Sequence, residues 1–108
     1  MSSILMDKNK IEAKDFKSIV WDWAIKLKVK PKEIHLRSMK TKWASLSGKG
    51  RLTFNSELLE KRRNLIDYVV LHELLHMRVP NHGKLFKSLL FVFLPDWEKC
   101  NELLKEAV

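Results

Sequence analysis

Two histidines four positions apart, with a glutamate directly after the first, are the residues of this sequence best suited to chemistry. They are His72, Glu73 and His76, the H-E-x-x-H arrangement. On a helix, residues four apart share one face, so both imidazoles can reach one metal ion while the carboxylate holds a water molecule. Pro80 ends the helix, and the chain then turns to deliver His82. Three protein ligands leave a fourth position open, which indicates catalytic rather than structural Zn²⁺.

The segment that carries the motif is predicted to be a buried helix, because it is apolar nearly all round. Asn64 is expected to cap it, with the Asp67 carboxylate satisfying a free backbone donor in the first turn. Histidines and a glutamate are costly on a buried helix unless something satisfies them, and a metal ion does so. The alternative is a pair of core histidines that are hydrogen-bonded to backbone. The apolar positions are Leu65, Ile66, Val69, Val70, Leu71, Leu74 and Leu75.

Helices and a small sheet are predicted around this helix. Apolar residues recur at helical spacing from about residue 12 to 28. The period changes to two between residues 33 and 54, where Gly48 and Gly50 mark a hairpin turn. Further helices are predicted over about 55–61, capped by Asn55 or Ser56, over about 83–93, capped by Asn81, and from Asp96 onward. The fold class is therefore α+β, with a small antiparallel or mixed sheet of about three strands packed on the motif helix and further helices flanking it.

Length, charge and cysteine content indicate how many domains the protein has, what it binds and where in the cell it works. The 108 residues fit one domain, 1–108. The net charge of +8 suits nucleic acid, but the lysines are scattered among glutamates, a surface that is also typical of thermophile proteins, so solubility is the preferred explanation. We predict a soluble cytoplasmic protein from three features of the sequence. It has a lone cysteine, it has no apolar run of the roughly 20 residues that span a bilayer, and it has no signal-peptide layout. Residues 1 to about 10 are expected to form a loose lead-in.

The spacing of the three histidines must be compared with known zinc motifs. The interval from His72 to His82 equals that of the metzincin pattern, but Val79 stands where that pattern has glycine, and no methionine follows Met77 to make the downstream turn. A metzincin is therefore excluded.

The sequence instead resembles the minigluzincins, very small zinc metallopeptidases related to the gluzincins and to catalytic domains of membrane metallopeptidases. The resemblance implies a zincin-like fold, peptide-bond hydrolysis, Zn²⁺, and His82 as third ligand. Glu98 and Glu102 keep a glutamate ligand as the minor alternative. The matching segments are Met39–Ser45, Gly50–Asn55, Ile66–His76, Asn81–His82 and Phe86.

Roles for other residues follow from this resemblance. Glu73 would act as general base toward the attacking water. Tyr68, one turn before the first histidine, is a candidate oxyanion contact, with packing in the core as its alternative. A peptide or protein substrate would pair with a sheet edge beside the motif helix, so that Trp43, Ala44 and Ser45 would line the cleft.

The C-terminal segment 96–108 suggests two further hypotheses. Some members of the group are kept latent by this segment, within one chain or across a homodimer, and Glu98, Cys100 and Glu102 could make the latency contacts. The rival function is a non-catalytic, zinc-stabilised binding module that contacts DNA through its basic surface. In that case Cys100 would close the zinc site as a fourth ligand.

Overall fold

The computed structural model describes residues 10–107 of the chain, and the side chains of residues 10–105. The predicted N-terminal lead-in lies almost wholly outside the described residues. The predicted α+β class is confirmed. The elements in chain order are α1 (Ala13–Leu27), β1 (Glu33–Arg37), β2 (Ala44–Leu46), β3 (Arg51–Asn55), a 3-10 helix (Ser56–Glu60), α2 (Arg63–Leu75), α3 (Lys84–Phe93) and α4 (Trp97–Ala107).

The three strands form one mixed sheet with β3 in the middle. β1 runs parallel to β3, and β2 pairs with β3 in the antiparallel direction through the predicted hairpin. Gly50 adopts a φ of 86°, a left-handed conformation that glycine reaches without steric cost. Of the two predicted sheet types, mixed is therefore correct, and β2 forms an edge of the sheet.

The core lies between the sheet, α1 and α2. Leu52 and Phe54 of β3 are fully buried, and the Phe54 ring meets Phe16 of α1 edge to face, with 5.1 Å between the ring centroids. Each such side chain contributes about 1.5–3 kcal/mol by leaving water. On α2 the apolar positions predicted from the sequence are all buried, which confirms that the motif helix is enclosed by the core.

Helix α2 begins two residues earlier than predicted. Its N-cap is Arg62, with no side-chain cap, so the capping role predicted for Asn64 is wrong. The Asp67 carboxylate instead accepts hydrogen bonds from the indole N–H of Trp23 and the guanidinium of Arg63. Asp67 thereby joins α2 to α1, because a partly buried carboxylate finds its donors across the helix interface rather than at the helix end.

The two C-terminal helices cover the remaining faces of α2. α3 begins after Gly83 without a side-chain cap, so the capping role predicted for Asn81 is also wrong. α3 buries Phe86 and Leu90, and α4 buries Cys100 and Leu104. Among the described residues, no helix is both long enough and apolar enough to span a membrane.

Candidate metal and active site

The three predicted metal-binding histidines converge on one point. The Nε2 atom of His82 lies 3.2 Å from Nε2 of His72 and 2.9 Å from Nε2 of His76. Two nitrogen ligands on a tetrahedral zinc ion are separated by about 3.3 Å, since each Zn–N bond is about 2.0–2.1 Å. These residues form the one cluster of potential metal ligands in the described part of the chain. The geometry and the donor set both fit a transition-metal ion.

The histidines are positioned by two different parts of the chain. His72 lies in the last turns of α2, and His76 follows as the C-cap of that helix. His82 is exposed and comes from the loop that precedes α3. The Arg78 side chain ties the start of this loop to the end of α1, because its guanidinium donates to the carbonyls of Leu27 at 2.8 Å and Lys28 at 3.1 Å.

The ring of Phe86 forms the wall behind all three imidazoles. Its centroid lies 5.2 Å from that of His72 and 4.8 Å from those of His76 and His82, and the side chain is only 1% exposed. An apolar wall of this kind keeps water away from one side of the site and strengthens its electrostatic interactions.

Burial favours the neutral form of His72 and His76. It lowers the pKa of His72 to about 4, with further lowering by the neighbouring His76 and His82. Burial also lowers the pKa of His76, again helped by His82, while the nearby backbone carbonyls of Val79 and Pro80 act in the opposite direction. Neutral imidazole is the form that binds metal, so the apolar surroundings prepare these ligands at neutral pH.

Glu73 lies beside the histidines in a cavity of about 390 Å³. Burial raises the pKa of its carboxyl group, and the positive charge of Lys42 partly offsets this effect. A carboxylate with a raised pKa is a better proton acceptor than an exposed one, as a general base requires. The cavity is lined by Trp43, Ala44, Tyr68, Val69, His72, Glu73, Asn101, Leu104 and Lys105.

Ala44, the first residue of β2, lines this cavity, and β2 is an outer strand of the sheet. The Trp43 carbonyl accepts a hydrogen bond from the Asn55 N–H, and the Ser47 N–H donates to the carbonyl of Arg51. Backbone groups alternate in direction along a strand, so the N–H and C=O groups of Ala44 and Leu46 point away from β3. The Asn55 amide also donates to the carbonyls at positions 39 and 42, which holds the loop leading into β2.

Tyr68 contacts both the metal site and the C-terminal helix. Its hydroxyl lies 3.3 Å from Nδ1 of His72 and donates to Oδ1 of Asn101 at 3.2 Å. The side chain is 5% exposed, and burial raises its pKa to about 12. Asn101 was not predicted as a site residue, because nothing in the sequence indicates that an asparagine on a C-terminal amphipathic helix contacts Tyr68.

The other predicted site residues do not all reach the cavity. Trp43, Ala44 and Tyr68 line it, whereas Ser45 does not. Glu98 and Glu102 of α4 are exposed and stand apart from the histidine cluster. Cys100 is buried against α2, with Sγ 3.7 Å from the carbonyl oxygen of Asn64. From α4, the residues that face the cavity are Asn101, Leu104 and Lys105.

Three converging imidazoles beside a partly buried carboxylate define the site of a metal-dependent hydrolase. The model of the YgjP-like metallopeptidase domain matches residues 6–107 of the chain. The chain therefore belongs to the YgjP-like metallopeptidase family, and it is a peptidase that uses a metal ion.

Two solved structures share this fold, and one further relative is similar in sequence. The fold superimposes on the metallopeptidase zymogen jannalysin of Methanocaldococcus jannaschii with a TM-score of 0.75 and 28% identity, over 86% of this chain and 97% of that one. The zymogen abylysin of Pyrococcus abyssi, at 18% identity, shares the fold with a TM-score of 0.73 over 86% of this chain and 94% of that one. The uncharacterized protein MJ0123 of M. jannaschii is 35% identical over 95 residues, 83% of this chain and 86% of its own length. The resemblance to minigluzincins is confirmed.

Proposed function

We propose that the chain is a zinc metallopeptidase in which His72, His76 and His82 hold the ion and Glu73 is the general base. The observation that carries the proposal is the convergence of three Nε2 atoms next to a cavity that contains the glutamate. Within the described residues no fourth protein ligand joins the cluster, in keeping with an open catalytic position.

The chemistry divides between the ion and the protein. When held by the three histidines, zinc would supply Lewis acidity for a scissile carbonyl and would lower the pKa of a bound water to about 7. Glu73 accepts the proton of the attacking water and returns it to the leaving amine. The raised pKa of this carboxyl favours the first transfer, because the conjugate base of a weaker acid takes up a proton more readily.

The substrate is an extended peptide that adds as a strand to the free edge of β2. The outward N–H and C=O groups of Ala44 and Leu46 supply main-chain hydrogen bonds, as in other strand-addition complexes. Trp43 and Ala44 then lie against the substrate near Glu73. Ser45 contributes through its place in the ladder, because its backbone groups face β3.

Tyr68 is the candidate for contact with a developing oxyanion, as it lines the same cavity. Its hydroxyl would have to leave Asn101 to donate a proton to such a group, since one hydroxyl has one proton. The observed contacts therefore favour a role in supporting His72 over a direct role toward the substrate.

A glutamate-to-glutamine substitution tests the proposed base. Glu73→Gln keeps the size of the side chain but removes the proton acceptor, so hydrolysis of an unstructured protein should fall by about 10²–10⁴-fold or more. Zinc content, measured by mass spectrometry of the purified chain, should remain that of the unsubstituted protein. Glu57→Gln, on the 3-10 helix, is the matched control. Turnover retained in the Glu73→Gln protein would contradict the proposal.

We further propose that α4 keeps the intact chain latent. Leu104 and Lys105 line the cavity together with Trp43 and Ala44. Truncation after Pro95 would also expose core, since α4 buries Cys100 and Leu104. A milder test is Leu104→Ala, which should raise the hydrolysis rate, with Leu103→Ala, 41% exposed on the same helix, as control. An unchanged or lower rate in zinc-loaded Leu104→Ala protein would argue against latency.

A further inference from the structure

Three side chains form a hydrogen-bonded chain from α4 to the metal site. Oδ1 of Asn101 accepts the hydroxyl of Tyr68 at 3.2 Å, and the same hydroxyl oxygen lies 3.3 Å from Nδ1 of His72. Asn101 is half-buried at the wall of the cavity, and in the described part of the chain its side chain makes no hydrogen bond to the histidine cluster. The hydrogen-bonded route from Asn101 to His72 therefore passes through the hydroxyl of Tyr68.

The direction of these bonds decides which nitrogen of His72 carries the proton. A neutral imidazole that binds metal through Nε2 must carry its proton on Nδ1. A tyrosine hydroxyl offers one proton and two lone pairs, so it can accept from Nδ1 only while its own proton points elsewhere. The amide oxygen of Asn101 accepts the hydrogen bond from the Tyr68 hydroxyl, so a lone pair of the hydroxyl oxygen remains available to Nδ1 of His72.

We propose that Asn101 is a positioning residue of the metal site, which holds His72 in the tautomer that presents Nε2 to the ion. The inference rests on the proposed zinc site and deepens it. It also gives α4 two opposed effects, since the helix that restricts access to the cavity also stabilises the ligand geometry. Opening the cavity by displacing α4 would then weaken metal binding at the same time.

The first test is zinc affinity of the full-length chain, measured by competition with a chromophoric chelator. Groups that orient a metal-binding histidine are worth about 10–100-fold in affinity, which is the loss expected for Tyr68→Phe. Asn101→Leu, one hydrogen bond further out, should cost about threefold to tenfold. Lys99→Gln, an exposed neighbour on α4, should leave the affinity unchanged.

The double substitution separates positioning from a general structural effect. In the Tyr68→Phe background, Asn101→Leu should produce no further loss, because its only route to the ion is gone. Asn101→Asp supplies an oxygen that can only accept, so it should retain the affinity of the unsubstituted chain or exceed it. Fully additive losses, or an Asp variant as weak as the Leu variant, would overturn the proposal.

A spectroscopic readout of the metal-free chain tests the tautomer itself. In a long-range ¹H–¹⁵N spectrum at neutral pH, His72 should appear with its proton on Nδ1, and Asn101→Leu should shift it toward a mixture of tautomers. The same tautomer ratio in both proteins would refute the role of Asn101 but leave the zinc site intact. An unsubstituted chain that does not bind zinc would refute both.

Discussion

The proposed metal site has two unlike halves, one built on a helix and one on a loop. His72 and His76 lie at the end of α2, whose other faces are buried in the core. His82 is exposed and stands between Pro80 and the start of α3. The helix half has dedicated partners, Tyr68 at His72 and the carbonyls of Val79 and Pro80 near His76. Among the described residues, the imidazole of His82 is hydrogen-bonded only to the other two histidines.

This difference means that the helix histidines are held in place before metal binds, whereas the loop that carries His82 becomes ordered when metal binds. Two ligands on a buried helix are held by core packing, so little conformational entropy is lost when the ion arrives. A ligand on an exposed loop loses more freedom, at about 1–2 kcal/mol for each backbone residue that becomes fixed. We therefore expect each helix ligand to contribute more net free energy of metal binding than the loop ligand.

Removing a ligand from each half gives the largest expected effects. Structural zinc binding is worth about 10–16 kcal/mol in small domains, so one of three protein ligands accounts for about 4 kcal/mol, roughly a thousandfold in affinity. His72→Ala should show that loss, whereas His82→Ala should show a loss smaller by about tenfold, because the loop no longer has to be ordered. Chelator competition measures both, and equal losses would remove the distinction between the halves.

Removing the Phe86 ring should loosen both halves at once. The ring touches all three imidazoles and is buried, so Phe86→Ala should lower the free energy of unfolding by about 3 kcal/mol in urea denaturation. Phe91→Ala, 60% exposed on the same helix, should change it by less than about 0.5 kcal/mol. Similar losses in the two variants would show that Phe86 is not a shared wall of the site.

The Arg78 tether addresses the loop half alone. Arg78→Met removes the two hydrogen bonds to the end of α1 and should cost about 1.5 kcal/mol of unfolding free energy, because the donor is charged. Zinc affinity should fall as well, while the tautomer of His72 stays as it was. Arg78→Lys keeps the charge but not the paired geometry, and full recovery by lysine would show that charge alone matters.

Hydrogen exchange with and without zinc should reveal the smallest effect. Zinc should slow amide exchange about twofold to tenfold over residues 77–82, where the ion orders the loop, and leave the buried middle of α2 unchanged. Chelator-treated protein serves as the control. Slowing that is confined to α2 would mean that the helix, not the loop, is ordered by the ion.

The helix half of the site was easier to predict from the sequence than the loop half or the residues that hold the histidines in place. The motif His72-Glu73-x-x-His76, the burial of its helix and the hairpin around Gly50 follow from short-range spacing, which is why the structure agrees with them. The caps assigned to Asn64 and Asn81 failed because Arg62 and Gly83 precede these helices instead. Boundaries depend on local backbone geometry that periodicity does not contain.

Contacts between elements far apart in the chain could not be predicted from the sequence. Asn101 meets Tyr68 across 33 positions, and no pattern in one chain announces such a pair. Glu98, Cys100 and Glu102 have side chains suited to latency contacts, but they do not line the cavity. The face of α4 that carries Cys100 packs in the core, and Asn101, Leu104 and Lys105 line the cavity. Which face of an amphipathic helix meets a site depends on tertiary packing.

We propose above that three histidines hold a zinc ion and that one position on the ion is open. X-ray absorption at the zinc edge, on purified full-length chain, tests it most directly because it reports the identity and distance of the ligand atoms. We predict three imidazole nitrogens at about 2.0–2.1 Å and one oxygen from water. A sulfur at about 2.3 Å, which would have to come from Cys100, or a fourth protein nitrogen would contradict the account.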